Sequence, residues 1–414
     1  MCPAINIMFD DFGEPQRTGN LERDIPFSFH MSSKRTTVLA GIASNNATLF
    51  HRMQFTVSDS SVVIDFADGT SLLIIRDIEM DRARQAGSAD RVCCAADFEP
   101  EGGLSGDRDT ALAQATAECL RGAGETAITV DRSLPYLYAH FILEAGITIA
   151  YSENFGVQER RLKSPDEVEH LRHAQKITGE AMTFACRTIA NATPDHDGIL
   201  HHDGAVLTSE RVRAMITAFL IEKNFSNSHD SIVASAPHVA DCHHHGTGPL
   251  KANLPIIVDI FPMDNASRYN GDMTRTVVCG EPSDKAKKMH AAVCEAKAAG
   301  CEALKAGTTG EAVHLATIAI LEKHHFTIVR GDVPHDPAIP TMSHGTGHGI
   351  GLDVHEPILL DYRGGEIFES ELFTVEPGLY SSVLGGVRIE DMVLVTETGH
   401  EVLSPVQEGL NWKE

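Results

Sequence analysis

Positive charge is scarce in this 414-residue chain: 34 lysines and arginines stand against 58 aspartates and glutamates, for a formal net charge of −24. So acidic a surface repels phosphate, which argues against nucleic acid and anionic membrane as partners. Long apolar runs are missing as well. No stretch approaches the roughly 20 apolar residues that a helical membrane span needs. Met1 to His30 carries Asp10, Asp11, Glu14, Glu22 and Asp24 where a secretory leader would have a basic start and an apolar run, so no signal peptide is expected. Nine cysteines are present, none in a C-x-x-C pair, with Cys93 and Cys94 adjacent and the rest scattered. An odd, unpatterned set reads as reduced thiols in a cytoplasmic protein. There is no low-complexity tract and no obvious short-period repeat.

What is present is a globular composition, 42% hydrophobic and 22% charged. The length exceeds one ordinary core and predicts two domains, residues 1–160 and 161–414. The first reads as a small α/β domain. Ser61 to Phe66 and Ser71 to Arg76 are β-rich runs flanking Asp68-Gly69, a hairpin signal. Asp109 to Arg121 reads as a helix ended by Gly122. A strand at Thr126 to Val130, a helix opened by Pro135 and an extended segment at Gly146 to Ala150 follow. His30, His51 and His140 stand alone, as structural or surface histidines do. Arg160, Arg161 and Lys163 mark the boundary. Ser164-Pro165-Asp166-Glu167 then starts a helix, with Ser as cap, Pro at the first position and Glu closing a capping box. That helix is expected to reach Asn191. Thr208 starts another, Ser283 caps a third running to Gly307, and Thr308 to Glu311 is a capping box for a fourth. Strands are expected at Ser231 to Ser235, Pro255 to Phe261, Met273 to Cys279, Phe373 to Tyr380 and Val387 to Val395. Helices interleave with antiparallel hairpins, an α+β pattern.

Chemistry concentrates in these strands. Asp259 sits inside Ile256-Ile257-Val258-Asp259-Ile260-Phe261, and a carboxylate in an apolar strand is costly without a partner. Asp272 heads the next strand, and the twelve residues between them can fold back as a hairpin loop. Neighbouring strands would hold the two carboxylates about 5 Å apart, which is compatible with two metal ions roughly 3.5–4 Å apart. Glu376 and Glu390 lie in the β-rich runs Val375-Glu376-Pro377-Gly378 and Val387-Arg388-Ile389-Glu390-Asp391. Four crowded acids repel one another strongly, and divalent cations are the simplest remedy. Ser343 to Glu356 adds His344, His348 and His355 among alternating glycines that permit close backbone approach. It lacks the G-x-G-x-x-G spacing of a nucleotide loop, and Pro357 after His355-Glu356 rules out H-E-x-x-H.

The ordered set VDIFP, GDMTRT, HGTGHGIGLDVHE, VEPGLY and VRIED resembles the pita-bread metallopeptidases, which include methionine aminopeptidase, aminopeptidase P (Xaa-Pro aminopeptidase) and prolidase. The resemblance runs from Ser164 to the C-terminus, with a fainter likeness of the first half to the creatinase/prolidase N-terminal domain. It implies a C-terminal pita-bread catalytic domain behind a smaller α/β domain. It implies further that Asp259 chelates one metal, that Asp272 and Glu390 bridge both, and that His348 and Glu376 hold the other. Glu376 would also shuttle the proton of a bridging water or hydroxide. His355, seven residues beyond His348, would bind substrate, with His344 and His243 as outer histidines. Tyr380 and Arg388 would orient a carboxylate or touch substrate. Four oxygen-donor acids and one imidazole suit Mn²⁺, with Co²⁺, Fe²⁺ or Zn²⁺ possible. The implied activity is removal of an N-terminal residue from a peptide, Xaa-Pro bonds foremost, by a homodimer.

Alternatives stay open. One is prolidase, with Arg363 as a candidate for catching the substrate carboxylate against a plain surface-loop reading. Others are a metal-free creatinase-like relative or a protein-binding module on the same fold. The gap from Asp259 to Asp272 is longer than is common in the family, consistent with an even loop insertion that preserves ladder register. Three adjacent histidines, His243 to His245, compete for one role, and the segment Glu369-Ser370-Glu371-Leu372 carries an acid where the family often has glycine. Asp195 to Asp197 and His201 to Asp203 read as a solvated loop between helices. His324-His325 suits a helix end, and Cys294 and Cys301 suit core packing.

Overall fold

The structure is a computed structural model and describes residues 35–331 and 336–413. The acidic first stretch and His30 lie outside them. In the first half, Ser61–Asp65 and Ser71–Ile74 pair antiparallel, with Val63 opposite Leu73. The turn between them uses Gly69 at φ +92° and Asp68 Oδ1, which accepts from Thr70 N at 2.9 Å. Thr37–Gly41 joins Ser61–Asp65 antiparallel, and Ala127–Val130, then Thr148–Tyr151, extend the sheet in parallel. Arg91–Cys93 closes the other edge of this six-stranded sheet. Strand alternation gives it two apolar faces. Val38, Ile64, Leu72 and Ile74 pack with Leu112, Leu120 and Ile142, supplied by the helices Arg108–Gly122 and Tyr136–Glu144. Leu39, Val63 and Leu73 point the other way, into a core shared with Ile350, Leu352, Met392 and Leu403. The first half is therefore cemented onto the second by side chains, each worth about 1.5–3 kcal/mol when fully buried.

The second half opens with the helix Pro165–Ala190, whose capping box forms in full: Glu167 N donates to Ser164 Oγ at 3.3 Å and Ser164 N donates to Glu167 Oε2 at 2.8 Å. This helix and Ser209–Glu222 pack on a three-stranded sheet of Ile232–Ala234, Ile256–Ile260 and Met273–Val277 through Ala181, Ile189, Ile216, Val258 and Met273. Two further sheets lie beside it. One joins Thr327–Ile328, Thr341–Met342, Gly378–Ser381 and Gly385–Arg388. The other joins Glu356–Leu360, Gly347–Gly349, Leu372–Val375, Asp391–Thr396 and Gly399–Val402. The paired helices Asp284–Ala303 and Gly310–Lys323 cover both. Helices outside and largely antiparallel sheets inside make an α+β fold whose centre is lined by strands.

Several local expectations change. The third helix stops at Ala303, where Leu304 turns extended, short of Gly307. The fourth is capped by Thr309, which accepts from Ala312 N at 3.1 Å, while Glu311 accepts from Arg363 N, so no Thr308–Glu311 box forms. The segment around His196 and His201 is a small three-stranded sheet, Thr193–Pro194, Leu200–His202 and Ala205–Val206, where a loop was expected. The strands expected through Glu376 and Glu390 are each broken at the acid. Among the described residues all eight cysteines are free thiols, and no helix is long and apolar enough to cross a membrane.

Candidate metal centre

Every residue of Ile256–Ile260 is buried, so the Asp259 carboxylate is largely shielded from bulk water. Its ladder partner is Thr274, which leaves Asp272 two residues up the neighbouring strand on the same face, diagonal to Asp259 and not directly opposite as a simple hairpin predicts. The connection is no plain loop either, because Met263–Asp264 pairs with Phe225–Ser226 on the way. Gln175 fixes the start of the second strand: Asp272 N donates to Gln175 Oε1 at 2.9 Å, and Gln175 Nε2 donates to Asp272 O at 2.7 Å. Gly271 is required there, since a Cβ would stand 2.1 Å from Thr178 Oγ1 and 2.8 Å from Ala174 O.

Glu376 and Glu390 sit where the chain changes sheet. Leu372–Val375 belongs to the five-stranded sheet and Gly378–Ser381 to the four-stranded one; Gly385–Arg388 and Asp391–Thr396 make the reverse crossing. Pro377 has no N–H to continue a ladder. Glu376 N instead donates to Thr346 O at 2.7 Å, and Glu390 N donates to Thr274 O at 3.1 Å. The breaks turn both carboxylates inward. Thr274 Oγ1 donates to Glu390 Oε2 at 2.8 Å. His348 lies in the strand Gly347–Gly349. Its Nδ1–H donates to Gly349 O at 3.1 Å, which leaves the Nε2 lone pair facing Asp272 Oδ2 at 3.9 Å and Glu376 Oε1 at 3.7 Å. Gly347 is needed beside it, because a Cβ would meet Thr374 O at 1.9 Å.

Donor atoms of Asp272, His348 and Glu390 all lie within 4.8 Å of one another, in a cavity of about 250 Å³ also lined by His243, Asp259, His344, His355, Glu376 and Arg388. All nine lining residues that the sequence singled out therefore meet in one place, and Tyr380 adjoins them. Larger clefts exist, one of about 830 Å³ near Arg268, but no carboxylate and imidazole donors converge in them among the described residues.

The electrostatics are lopsided. Burial, then the Glu390 and Asp259 charges, push the Asp272 carboxyl well above its ordinary value. Burial, then Glu376 and Asp259, do the same to Glu390. Burial raises Glu376 to about 8 even though Arg388 opposes the rise. Burial, reinforced by His355, lowers His348 to about 3, so its imidazole is neutral. Asp259 Oδ2 accepts from Arg388 Nη2 at 2.6 Å, while its Oδ1 is buried with no hydrogen-bond partner. An orphaned buried oxygen, carboxyls that resist ionisation and a neutral imidazole with its lone pair inward are the donor set a divalent cation satisfies. The residues present fit such ions.

On the rim, His344 Nδ1 donates to Gly345 O at 2.7 Å, so Nε2 accepts from Tyr380 OH at 2.6 Å, and Arg388 Nη1 donates to Tyr380 OH at 3.0 Å. Burial first, then Arg388, lowers His344 to about 3. His355 is exposed at the mouth, its ring centroid 4.3 Å from that of His348. His243 is exposed and lines the same cavity, where its charge adds to burial in lowering the pKa of His355.

Sequence reasoning missed the supports. Arg275, fully buried, donates to Glu390 O at 2.5 Å and to Asp391 at 2.7 Å, and Lys297 also pairs with Asp391. A charged residue inside the strand Met273–Val277 was a usable signal for Arg275; Lys297 in an alanine-rich helix gave none. Glu371 also acquires a reason: it is buried, pairs with Arg161 and accepts from Phe368 N at 2.7 Å. Arg363 is exposed and outside the cavity lining. His202 and His196 are remote from it, paired with Asp203 and Asp197.

Metallopeptidase family M24 matches residues 169–397. The chain is 30% identical over 255 residues to an Xaa-Pro dipeptidase of Pyrococcus furiosus, covering 61% of this chain and 65% of that protein. It is 27% identical over 298 residues to an Xaa-Pro dipeptidase of Pyrococcus horikoshii, covering 69% and 75%. The match to the first thus spans just under two thirds of its length. Among solved structures, an Xaa-Pro dipeptidase from Bacillus anthracis aligns with a TM-score of 0.73 at 24% identity, over 91% of this chain and 94% of that one. An X-Pro aminopeptidase from Thermotoga maritima gives 0.72 at 24% identity, over 91% and 96%. At such identities these structures speak for the fold, which is the pita-bread arrangement preceded by a smaller α/β domain.

Proposed function

The chain belongs to metallopeptidase family M24, and from that premise we propose that it is a dinuclear-metal aminopeptidase that cuts the bond after an N-terminal residue, Xaa-Pro bonds foremost. The observation that carries this reading is the convergence of Asp272, His348 and Glu390 donors within 4.8 Å inside a cavity short of cations. Asp259, Asp272, His348, Glu376 and Glu390 would hold two ions, most suitably Mn²⁺ given the oxygen-rich set, with Co²⁺, Fe²⁺ or Zn²⁺ as substitutes. Bound there, the ions supply a water of lowered pKa and polarise the scissile carbonyl.

The remaining work falls to the chain. Arg388 holds Asp259 in place while Tyr380 and His344 brace the guanidinium. Thr274 and Arg275 fix Glu390 through its carboxylate and its carbonyl. Glu376, whose side chain is 20% exposed, would shuttle the proton of the bridging water or hydroxide toward the departing amine. His355 and His243, which both line the cavity, would donate to the carbonyl oxygen as charge develops on it. A second reading, a prolidase restricted to dipeptides, is favoured by the likeness to the two Pyrococcus Xaa-Pro dipeptidases. A homodimer in the cytoplasm is proposed with either. The test is a panel of Xaa-Pro dipeptides, Xaa-Pro-Yaa tripeptides and non-proline controls with added Mn²⁺. Cleavage of tripeptides supports the aminopeptidase, cleavage of dipeptides alone supports the prolidase, and cleavage of neither removes both.

A further inference from the structure

The lip of the cavity carries a second set of donors unlike the first. Asp241, Cys242 and His243 follow the short turn His238–Ala240. One carboxylate oxygen, the thiol sulfur and one ring nitrogen of these residues lie within 4.8 Å of one another. The loop is held from both sides. Asp241 Oδ1 accepts from His243 N at 3.0 Å, and the Cys242 carbonyl accepts from Arg388 Nη1 at 3.4 Å. That guanidinium is the one bonded to Asp259, so the lip is tied directly to the metal-binding floor. Cys242 and His243 line the same cavity as Asp272, His348 and Glu390, while Asp241 faces solvent. The neighbouring His244 is not part of the set, because its Nδ1 accepts from Gly246 N at 2.9 Å.

Donor chemistry separates the two sets. The floor offers carboxylates and one imidazole, which suit hard ions such as Mn²⁺. The lip offers a thiol that would give up its proton to a bound ion, an imidazole and a carboxylate, which favour Zn²⁺ and leave a fourth position open. Zinc held about 2.0–2.3 Å from each donor needs a further approach of about an ångström, by the exposed side chains of Asp241 and His243 toward Cys242, which packs against Ile232, Val239 and Tyr380. We propose that Asp241, Cys242 and His243 form a third metal site, selective for a thiophilic divalent ion such as Zn²⁺, which closes the mouth of the cavity to peptide. The inhibitory consequence rests on the peptidase reading above; the ion site itself does not.

The test uses the full chain, freed of metal and titrated with Co²⁺, which takes zinc's geometry and reveals thiolate ligation by a near-ultraviolet charge-transfer band. The wild type is expected to show that band and to bind three ions. Cys242→Ser should lack the band and bind two. Asp241→Asn keeps an oxygen to accept from His243 N–H and removes only the charge. With Mn²⁺ loaded it should retain its basal peptidase rate and need about tenfold or more additional Zn²⁺ for half-inhibition. No charge-transfer band in the wild type, a band undiminished in Cys242→Ser, or equal Zn²⁺ inhibition of Asp241→Asn and wild type would each overturn the proposal. If Cys242→Ser bound no ion while the wild type showed the band, the lip site would stand and the dinuclear reading would fall.

Discussion

Two groups of buried acids lie in the same half of this molecule and are treated in opposite ways. Glu356 is answered twice by the chain's own cations, at Oε1 by Arg160 at 3.0 Å and at Oε2 by Lys163 at 2.7 Å. Glu371 is paired with Arg161, and Asp391 with Arg275 and Lys297. Asp259, Asp272, Glu376 and Glu390 share a single guanidinium, that of Arg388, which bonds only to Asp259 among them. Burying a carboxylate without compensation is prohibitive. Where the protein supplies the cation, the acid ties elements together: the Arg160 to Lys163 segment is stapled to the loop that carries His355. Where it does not, the deficit leaves room for a cation from outside.

Substitutions should break this contrast in order of size. Asp272→Asn removes a donor from the uncompensated group and is expected to abolish activity with loss of metal, measured by elemental analysis alongside turnover; His202→Ala, remote from the cavity, should leave both unchanged. Glu356→Ala strikes the compensated group. It leaves Arg160 with Asp353 as its one carboxylate and Lys163 with no carboxylate, only the Arg160 carbonyl, and should cost about 3–5 kcal/mol of unfolding free energy by urea titration, with ions retained. If Glu356→Ala emptied the metal site of a still-folded chain, the two groups would not be separate in function. His355→Ala should keep both ions and lose roughly 10²–10³-fold in kcat with little change in KM, since its contact is strongest in the transition state. Loss of a metal in His355→Ala, with both kept in His348→Ala, would mean the two histidines have exchanged roles.

A subtler difference is in pH. A carboxyl whose folded pKa lies above its unfolded value holds its proton longer when folded. For Glu376 that interval runs from the ordinary 4.5 to about 8. Through that window the folded metal-free chain binds more protons than the unfolded one, so its stability should fall as pH rises. Mn²⁺ should flatten the slope. Identical slopes in urea midpoints with and without Mn²⁺ would contradict the assignment.

The residues of the site were legible because each breaks a local rule: Asp259 inside an apolar strand, His348 between glycines, Glu376 and Glu390 in β-rich runs. The capping box at Ser164 and the Asp68-Gly69 hairpin were legible because their hydrogen bonds close within a few residues. What sequence could not show is set by distance along the chain. Arg160 and Glu356 are 196 residues apart, and nothing local in Arg160-Arg161-Leu162-Lys163 distinguishes a buried staple from a basic linker. The strand breaks at Glu376 and Glu390 were hidden because continuous β-propensity carries no mark of a change of sheet. The diagonal placement of Asp259 and Asp272 follows from a register that the intervening pairing with Phe225–Ser226 helps to set.

The central claim is that the acids around Asp272, with Arg388 answering Asp259 alone, are short of positive charge and held for an external cation. A pH-stat titration of the metal-free chain with Mn²⁺ at neutral pH tests this directly, because ions must displace protons from carboxyls raised as Glu376 is, to about 8. The expected result is proton release that rises with added Mn²⁺ and stops near two ions per chain, and that is lost in Asp272→Asn. Failure to bind Mn²⁺, or binding with no protons released, would contradict it.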